Sequence, residues 1–304
     1  MAARLWGMFV AGDLLFAVLV AAALPHGGWM PPSAALAIGA AALLTLPALF
    51  VLGSFIRAAA GGADGHGRPA QPGRLLTALV TEWFDFDRAV FDMITAPWLD
   101  RRDTDAGSGG RRPVLLVHGI LCNRGVWRSW FGLLGAAGFG PVRAIDLEPL
   151  LGDLETHAQT VANALQSLQR ECDGSRVSII AHSMGGLVAR AALRRAGPGV
   201  IREIVTIASP HHGTALACSW PSPPLRQMRP HSPWLRGLAA DEAPPTVPIT
   251  SIYTAQDNLI VPARSAVIDG GRTLELDGVG HMGLLFRRRC IDAAIAALAA
   301  PAGG

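Results

Sequence analysis

The chain has 304 residues, of which 50% are hydrophobic and 16% charged, and its mean hydropathy is +0.33. Soluble domains carry roughly 25% charged residues, so this is no wholly solvated protein, and the length accommodates one large domain with an appendage. The formal charge is +3 and all 26 basic residues are arginine; without lysine there is no Schiff base, Ser-Lys dyad or phosphate-loop lysine, and arginines this scattered make no nucleic-acid-binding face.

From Leu5 to Leu24 the chain is apolar except for Asp13, and from Ala34 to Ile56 it has no ionisable residue. Each run is long enough to cross a bilayer core of about 30 Å as a helix. Pro25-His26-Gly27-Gly28-Trp29-Met30-Pro31-Pro32 lies between them, a run of helix breakers with an interfacial tryptophan that predicts a transmembrane hairpin in residues 1–57, with spans at about 5–24 and 34–56. The rival is a signal peptide cleaved near Ala21-Ala22-Ala23, but the apolar stretch exceeds a signal core and a second follows at once. Asp13 would cost about 2.5–3.5 kcal/mol at mid-membrane, so it is expected against the partner helix or at an interface. Arg4 precedes the first span, Arg57, Arg68 and Arg74 follow the second, and the loop between has no arginine, which puts both ends in the cytoplasm.

Residues 58–112 form the connection. Ala58 to Gly73 is a Gly/Ala/Pro-rich linker. Leu75, Leu76, Leu79, Val80, Trp83, Phe84, Val90, Phe91 and Ile94 then recur at helical spacing, with Glu82, Asp85, Arg88 and Asp92 between them. This predicts an amphipathic helix with an acidic polar face, lying on the membrane surface or against the globular domain. Asp100 to Arg112 is a second polar linker.

From Pro113 short apolar runs alternate with helical stretches. Strands are expected at 114–117, 142–147, 176–181, 203–208, 249–254 and 272–276, and helices at 127–137, 154–170, 185–195 and 282–298. Such alternation predicts a three-layer α/β domain over residues 113–300, with a mostly parallel sheet covered on both faces. Pro210 to Pro248 interrupts it, dense in proline and without a clear period, and is expected to be a lid or cap. Cys122, Cys172, Cys218 and Cys290 lie far apart with no Cys-x-x-Cys spacing; they read as free buried thiols, with no metal site.

The chemistry concentrates in three loops. Ala181-His182-Ser183-Met184-Gly185-Gly186 joins a predicted strand to a predicted helix. A serine on so sharp a turn needs small residues two before and two after it, and its hydroxyl is raised above the sheet at the positive end of a helix. An N-cap role is the bland alternative for Ser183. A serine needs a base and an orienting acid, here expected in the order serine, acid, histidine. His281, in Gly280-His281-Met282-Gly283, is the one histidine after Asp257, and Asp257 follows the strand at 249–254. Asp241, Glu242, Asp269 and Asp277 are competing late acids. The loop His118-Gly119-Ile120-Leu121 can present an amide to an oxyanion, so the backbone N–H groups of Ile120 and Met184 are the expected donors. His118 is expected to organise its loop and His182 to point away from the serine. Leu121 and His212 are the expected substrate contacts, although His211 and His212 beside Pro210 also suit a turn at a cleft wall.

On these motifs, together with Ser209-Pro210-His211-His212-Gly213-Thr214 and Val261-Pro262, the chain from about Pro113 to Leu298 resembles the α/β-hydrolases, and among them bacterial lipases and esterases. Ala181 stands where the usual Gly-x-Ser-x-Gly elbow has its first glycine. The resemblance implies Ser183 as nucleophile, His281 as general base and acid, Asp257 as its orienting acid, and Ile120 and Met184 as the oxyanion hole. It implies hydrolysis of carboxylic esters through an acyl-enzyme without cofactor or metal; with the hairpin, the expected substrate is a lipid-derived ester. The expected location is a bacterial inner membrane, multi-pass, with the hydrolase domain in the cytoplasm. The same triad would serve an acyltransferase or an amide or peptide hydrolase, and a non-catalytic membrane scaffold is the alternative of another class.

Overall fold

The computed structural model describes residues 1–8, 10–11, 47–60, 72–98, 105–106, 112–218, 221–241 and 247–300. Most of both expected spans, Asp13 included, lies outside the described residues; among those described, no helix is long and apolar enough to cross a membrane.

After helical segments at 2–8 and 47–60, the chain forms α1 (Pro72–Thr95) and β1 (Asp105–Ala106). The elements β2 (Val114–Val117), α2 (Arg128–Ala136), β3 (Val142–Ile145), α3 (Leu154–Glu171), β4 (Val177–His182), α4 (Met184–Ala196) and β5 (Ile201–Ile207) follow. Then come α5 (Pro223–Gln227), α6 (Pro233–Asp241), β6 (Ile249–Tyr253), β7 (Arg272–Glu275), α7 (Gly283–Phe286) and α8 (Arg288–Ala299). The single closing helix expected at 282–298 is two, broken at Arg287, whose extended backbone ends one and begins the other.

The strands form one seven-stranded sheet in the order β1-β3-β2-β4-β5-β6-β7. Strands β2 to β7 are parallel. β1, two residues inside the expected linker, adds antiparallel to the edge of β3. Both faces are covered: Leu115, Val117, Ile179 and Ala181 join the core under α3 and α4, while Val114, Leu116 and Ile180 join the core with Trp127, Trp130 and Leu298 on the other. Alternate residues of one strand thus enter opposite cores, which is why these strands read as unbroken apolar runs. Because β3 lies outside β2, the chain reverses direction between β2 and β4. The crevice at the C-terminal ends of those two strands is where open α/β sheets bind ligands.

The excursion after Pro210 is docked rather than free-standing wherever it is described. Ala217, Met228, Leu235 and Leu238 are buried in the core under α3 and α4, Gln227 Oε1 accepts from Leu154 N at 2.8 Å, and Trp234 Nε1 donates to Glu155 at 2.9 Å.

Helix α1 packs on the α/β domain, the second of the two expected placements, but with its acids turned inward. Ala78, Glu82, Asp85, Ala89, Asp92 and Met93 are buried, while Leu76, Val80, Phe84 and Phe91 are exposed, Phe91 at 63%. The inward positions recur at intervals of three or four and so share one helix face. The acids are tolerated there because each meets donors: Glu82 meets backbone amides, Asp85 pairs with Arg287, and Asp92 pairs with Arg128 at 3.2 Å and Arg88 at 3.7 Å. Segment 47–60 lies against α1 through Val51 and Phe55 and turns Leu49, Phe50, Leu52 and Ile56 to the outside.

Candidate active site

Ser183 is delivered by the turn from β4 into α4. Its backbone lies at φ 55°, ψ −127°, a positive-φ conformation that costs a non-glycine residue about 1–3 kcal/mol. Its side chain makes no capping hydrogen bond to α4, so the N-cap alternative fails. Small neighbours make the turn possible: a Cβ at Gly185 would stand 2.6 Å from the carbonyl oxygens of Val117 and His118, and a Cβ at Gly119 2.9 Å from Ser183 Cβ and 3.4 Å from its Oγ. The loop after β2 therefore closes directly on the serine. Ile120 follows Gly119 in that loop. Met184 opens α4, where the first N–H groups of a helix have no intrahelical partner.

His118 fixes this loop. Its Nδ1–H donates to Gly119 O at 2.8 Å and its Nε2 accepts from Leu147 N at 3.0 Å, which uses both ring nitrogens and sets the tautomer. Burial keeps its pKa below the ordinary 6.5, against the opposing hydrogen bond to Gly119 and the charge of Asp146. Leu121, at φ 59°, passes its carbonyl to the indole Nε1–H of Trp6 at 2.8 Å. Cys122 is buried and its thiol is pushed up to about 12 by burial, which leaves it no thiolate to act as a nucleophile. Of the thiols expected to be buried, Cys122 and Cys290 are, whereas Cys172 is partly exposed and Cys218 exposed.

Asp257 and His281 meet directly. His281 Nδ1 lies 3.0 Å from both carboxylate oxygens, and both side chains are buried. The loop after β6 holds the acid in an Asx-type turn in which Oδ1 accepts from Leu259 N and Ile260 N, each at 2.8 Å. That loop also grips the histidine loop, since Thr254 Oγ1 donates to Val279 O at 2.9 Å and Asn258 Oδ1 accepts from His281 N at 3.0 Å. Burial opposes charge on the imidazole, but Asp257, by charge and hydrogen bond, and then Glu82 outweigh it, and the pKa of His281 lies above 6.5. His182, next to Ser183, lies against this ring at a tilt of 53°, with centroids 4.7 Å apart, and donates from Nε2 to His281 O at 3.3 Å. Burial and then the His281 charge hold its pKa well below 6.5, so it stays neutral beside the His281 ring.

Three further contacts were hidden from the sequence. The buried Glu82 of α1 accepts from Met282 N at 2.7 Å and Gly283 N at 2.9 Å, and burial raises its pKa to about 7 against those hydrogen bonds. Asn258 Nδ2 donates to Ser54 Oγ in segment 47–60 at 2.8 Å, and Trp6 reaches Leu121 as above. Each N-terminal segment thus touches a different site loop. In the sequence these contacts leave no sign beyond the helical spacing that puts Ala78, Glu82, Asp85 and Ala89 on one face of α1.

His212 is half exposed, with Nε2 3.8 Å from Asp269 and its N–H on Ser265 O at 3.2 Å; its described contacts are on the outer wall. His211 is buried between Arg190 at 3.3 Å and Thr206 at 3.0 Å, a structural role. A cavity of about 390 Å³ opens between segment 47–60 and the loops after β5 and β6, lined by Gly53, Ile56, Arg57, Ala60, Ala215, Leu216 and Val261.

Comparison with known proteins bears on the fold and on part of the sequence. Residues 149–263 match the family model of the PGAP1-like alpha/beta domain. Over 115 residues the chain is 30% identical to a triacylglycerol lipase of Pseudomonas fragi, spanning 35% of this chain and 37% of that relative, so it spans little more than a third of the relative's length. The fold is shared with the mature lipase BlEst2 of Bacillus licheniformis, with TM-score 0.56 and 14% identity over 64% of this chain and 96% of that one. Aspergillus fumigatus lipase B has TM-score 0.55 and 24% identity over 64% of this chain and 54% of that one. The fold is therefore one that these two solved lipases share.

Proposed function

We propose that the chain is a serine hydrolase of carboxylic esters, anchored in a bacterial inner membrane, whose substrates are lipid-derived. The observation that carries the reading is the strained elbow of Ser183, whose neighbour His182 contacts the ring of the buried Asp257–His281 pair. His281 takes the serine proton through Nε2 while Nδ1–H stays on Asp257, which holds the tautomer and stabilises the imidazolium. Ser183 Oγ attacks the acyl carbonyl, and the tetrahedral oxyanion is met by the amides of Ile120 and Met184. The imidazolium returns its proton to the leaving alcohol, and water, activated by the same histidine, hydrolyses the acyl-enzyme.

Three observations support a lipid substrate at a membrane. The matched relative is a triacylglycerol lipase; the cavity beside the acid turn is lined mostly by apolar side chains; and α1 with segment 47–60 turns Leu49, Phe50, Ile56, Leu76, Phe84 and Phe91 to the outside, next to the apolar run that begins at Ala34. Large apolar side chains exposed together on the outside of two packed helices suit a membrane or partner surface. With both chain ends cytoplasmic, the site would draw substrate from the inner leaflet.

Detergent-solubilised protein should hydrolyse a series of p-nitrophenyl esters, with an optimum at medium or long acyl chains, and Ser183→Ala should lose that activity by about 10³-fold or more. Folded wild type that hydrolyses none of them contradicts the reading, and an acetate optimum would remove its lipid part.

A further inference from the structure

We propose that Glu82 of α1 is a positioning residue of the active site, holding the loop of His281 from behind, so that the helices N-terminal to the hydrolase domain belong to the catalytic apparatus as well as to the anchor. The inference rests on the ester-hydrolase reading and deepens it. Glu82 is 1% exposed, and each of its carboxylate oxygens accepts one of the two amides that follow His281, at 2.7 and 2.9 Å. These are the free N–H groups at the start of α7, so one side chain fixes where α7 begins and hence where the imidazole points. The fit leaves no slack, because a Cβ at Gly280 would run into the Glu82 carboxylate, and one at Gly283 would lie 2.8 Å from Val279 Cγ1.

The charged surroundings make the carboxylate a second electrostatic partner of the imidazole. His281 and Asp257 face it from the two site loops, His182 lies tilted against His281 from the elbow, and Asp85, one turn along α1, is engaged by Arg287. An ionised Glu82 favours imidazolium beyond the effect of Asp257. Because burial pushes Glu82 up to about 7, carboxyl and imidazole titrate together over the acidic limb of activity. The contacts of Ser54 with Asn258 and of Trp6 with Leu121 brace the other two loops in the same way, but only Glu82 carries charge to the site.

The test uses the full chain in detergent and a short, soluble ester, with active sites counted by fluorophosphonate labelling. In Glu82→Gln the side chain can accept one amide and must turn its own N–H toward the other. Per labelled site, kcat should fall about tenfold while KM stays within about twofold, and the acidic limb of kcat/KM should move down by about 0.5–1 pH unit as the imidazole loses a negative neighbour. A merely structural role would lower the number of labelled sites and leave both kcat per site and the limb unchanged; that result overturns the proposal. Should Glu82→Gln not fold, Glu82→Asp keeps the charge but withdraws it by one methylene. It should lower kcat per site at least about threefold with the limb nearly unmoved, and wild-type kcat in that variant also overturns the proposal. Wild type that neither labels nor hydrolyses overturns the hydrolase reading and this inference with it, whereas a labelled, active wild type with an unresponsive Glu82 overturns this inference alone.

Discussion

At the scale of single residues the site is a matter of which proton sits where. His281 must be neutral to accept the serine proton, and its pKa lies above 6.5, so kcat/KM should rise with pH through a midpoint above about 6.5. The sign is fixed by the raised value: acid charges the base early, and activity is lost as pH falls through the midpoint. Replacing Asp257 by Asn should keep the fold but lower kcat by about 10³–10⁴-fold, because the amide no longer stabilises the imidazolium and permits the wrong tautomer. A pH–rate profile of the two proteins checks both statements. The turn at Ser183 and the pairing of Asp257 with His281 were legible because they depend on local signals, an elbow of small residues, an acid after a strand and a histidine in a glycine loop. Glu82 was not. An acid between apolar helix positions reads as a solvent face, and only the amides of Met282 and Gly283, 200 and 201 residues away, explain its burial.

At the scale of elements, close approach decides what can be changed. The α4 backbone passes within contact of the loop after β2 at Gly185, where a Cβ would meet two carbonyl oxygens at 2.6 Å. Gly185→Ala should therefore destabilise by about 1–3 kcal/mol through overpacking, read as a lowered midpoint in denaturant, and should displace Ser183 enough to cut activity. The periodic strands and helices were legible because each strand between β2 and β6 is buried on two faces or nearly so. β1 was not, since two residues at an edge carry no pattern. The burial of the α1 acids was not legible for a related reason: periodicity finds two faces but not which one meets protein. Its outer face should act at a lipid surface. Phe84→Glu together with Phe91→Glu should leave hydrolysis of a soluble ester within about twofold, yet lower hydrolysis of the same ester carried in vesicles several-fold, since each exposed aromatic forfeits about 1.5–3 kcal/mol of apolar burial.

At the scale of the whole molecule, two reaches of sequence that look separable are joined. The α/β domain supplies the elbow, the acid and the histidine, and segments 2–8, 47–60 and α1 brace the loops that carry them. Protein lacking residues 1–98 should therefore lose most of its hydrolysis of a soluble ester, and not only its attachment to membranes. Full activity in a soluble, truncated protein would show that the appendage is an anchor alone. The sequence separated the two because composition changes sharply at Pro113, and composition records which solvent a segment meets, not which loop it touches.

Everything above turns on whether Ser183 is the nucleophile, and mass-spectrometric mapping of a fluorophosphonate adduct on folded, full-length protein decides it. The adduct should fall on the peptide containing Ser183, vanish in Ser183→Ala, and form far more slowly in His281→Ala. A folded wild type that takes up no probe, or takes it up at another residue, would contradict the mechanism.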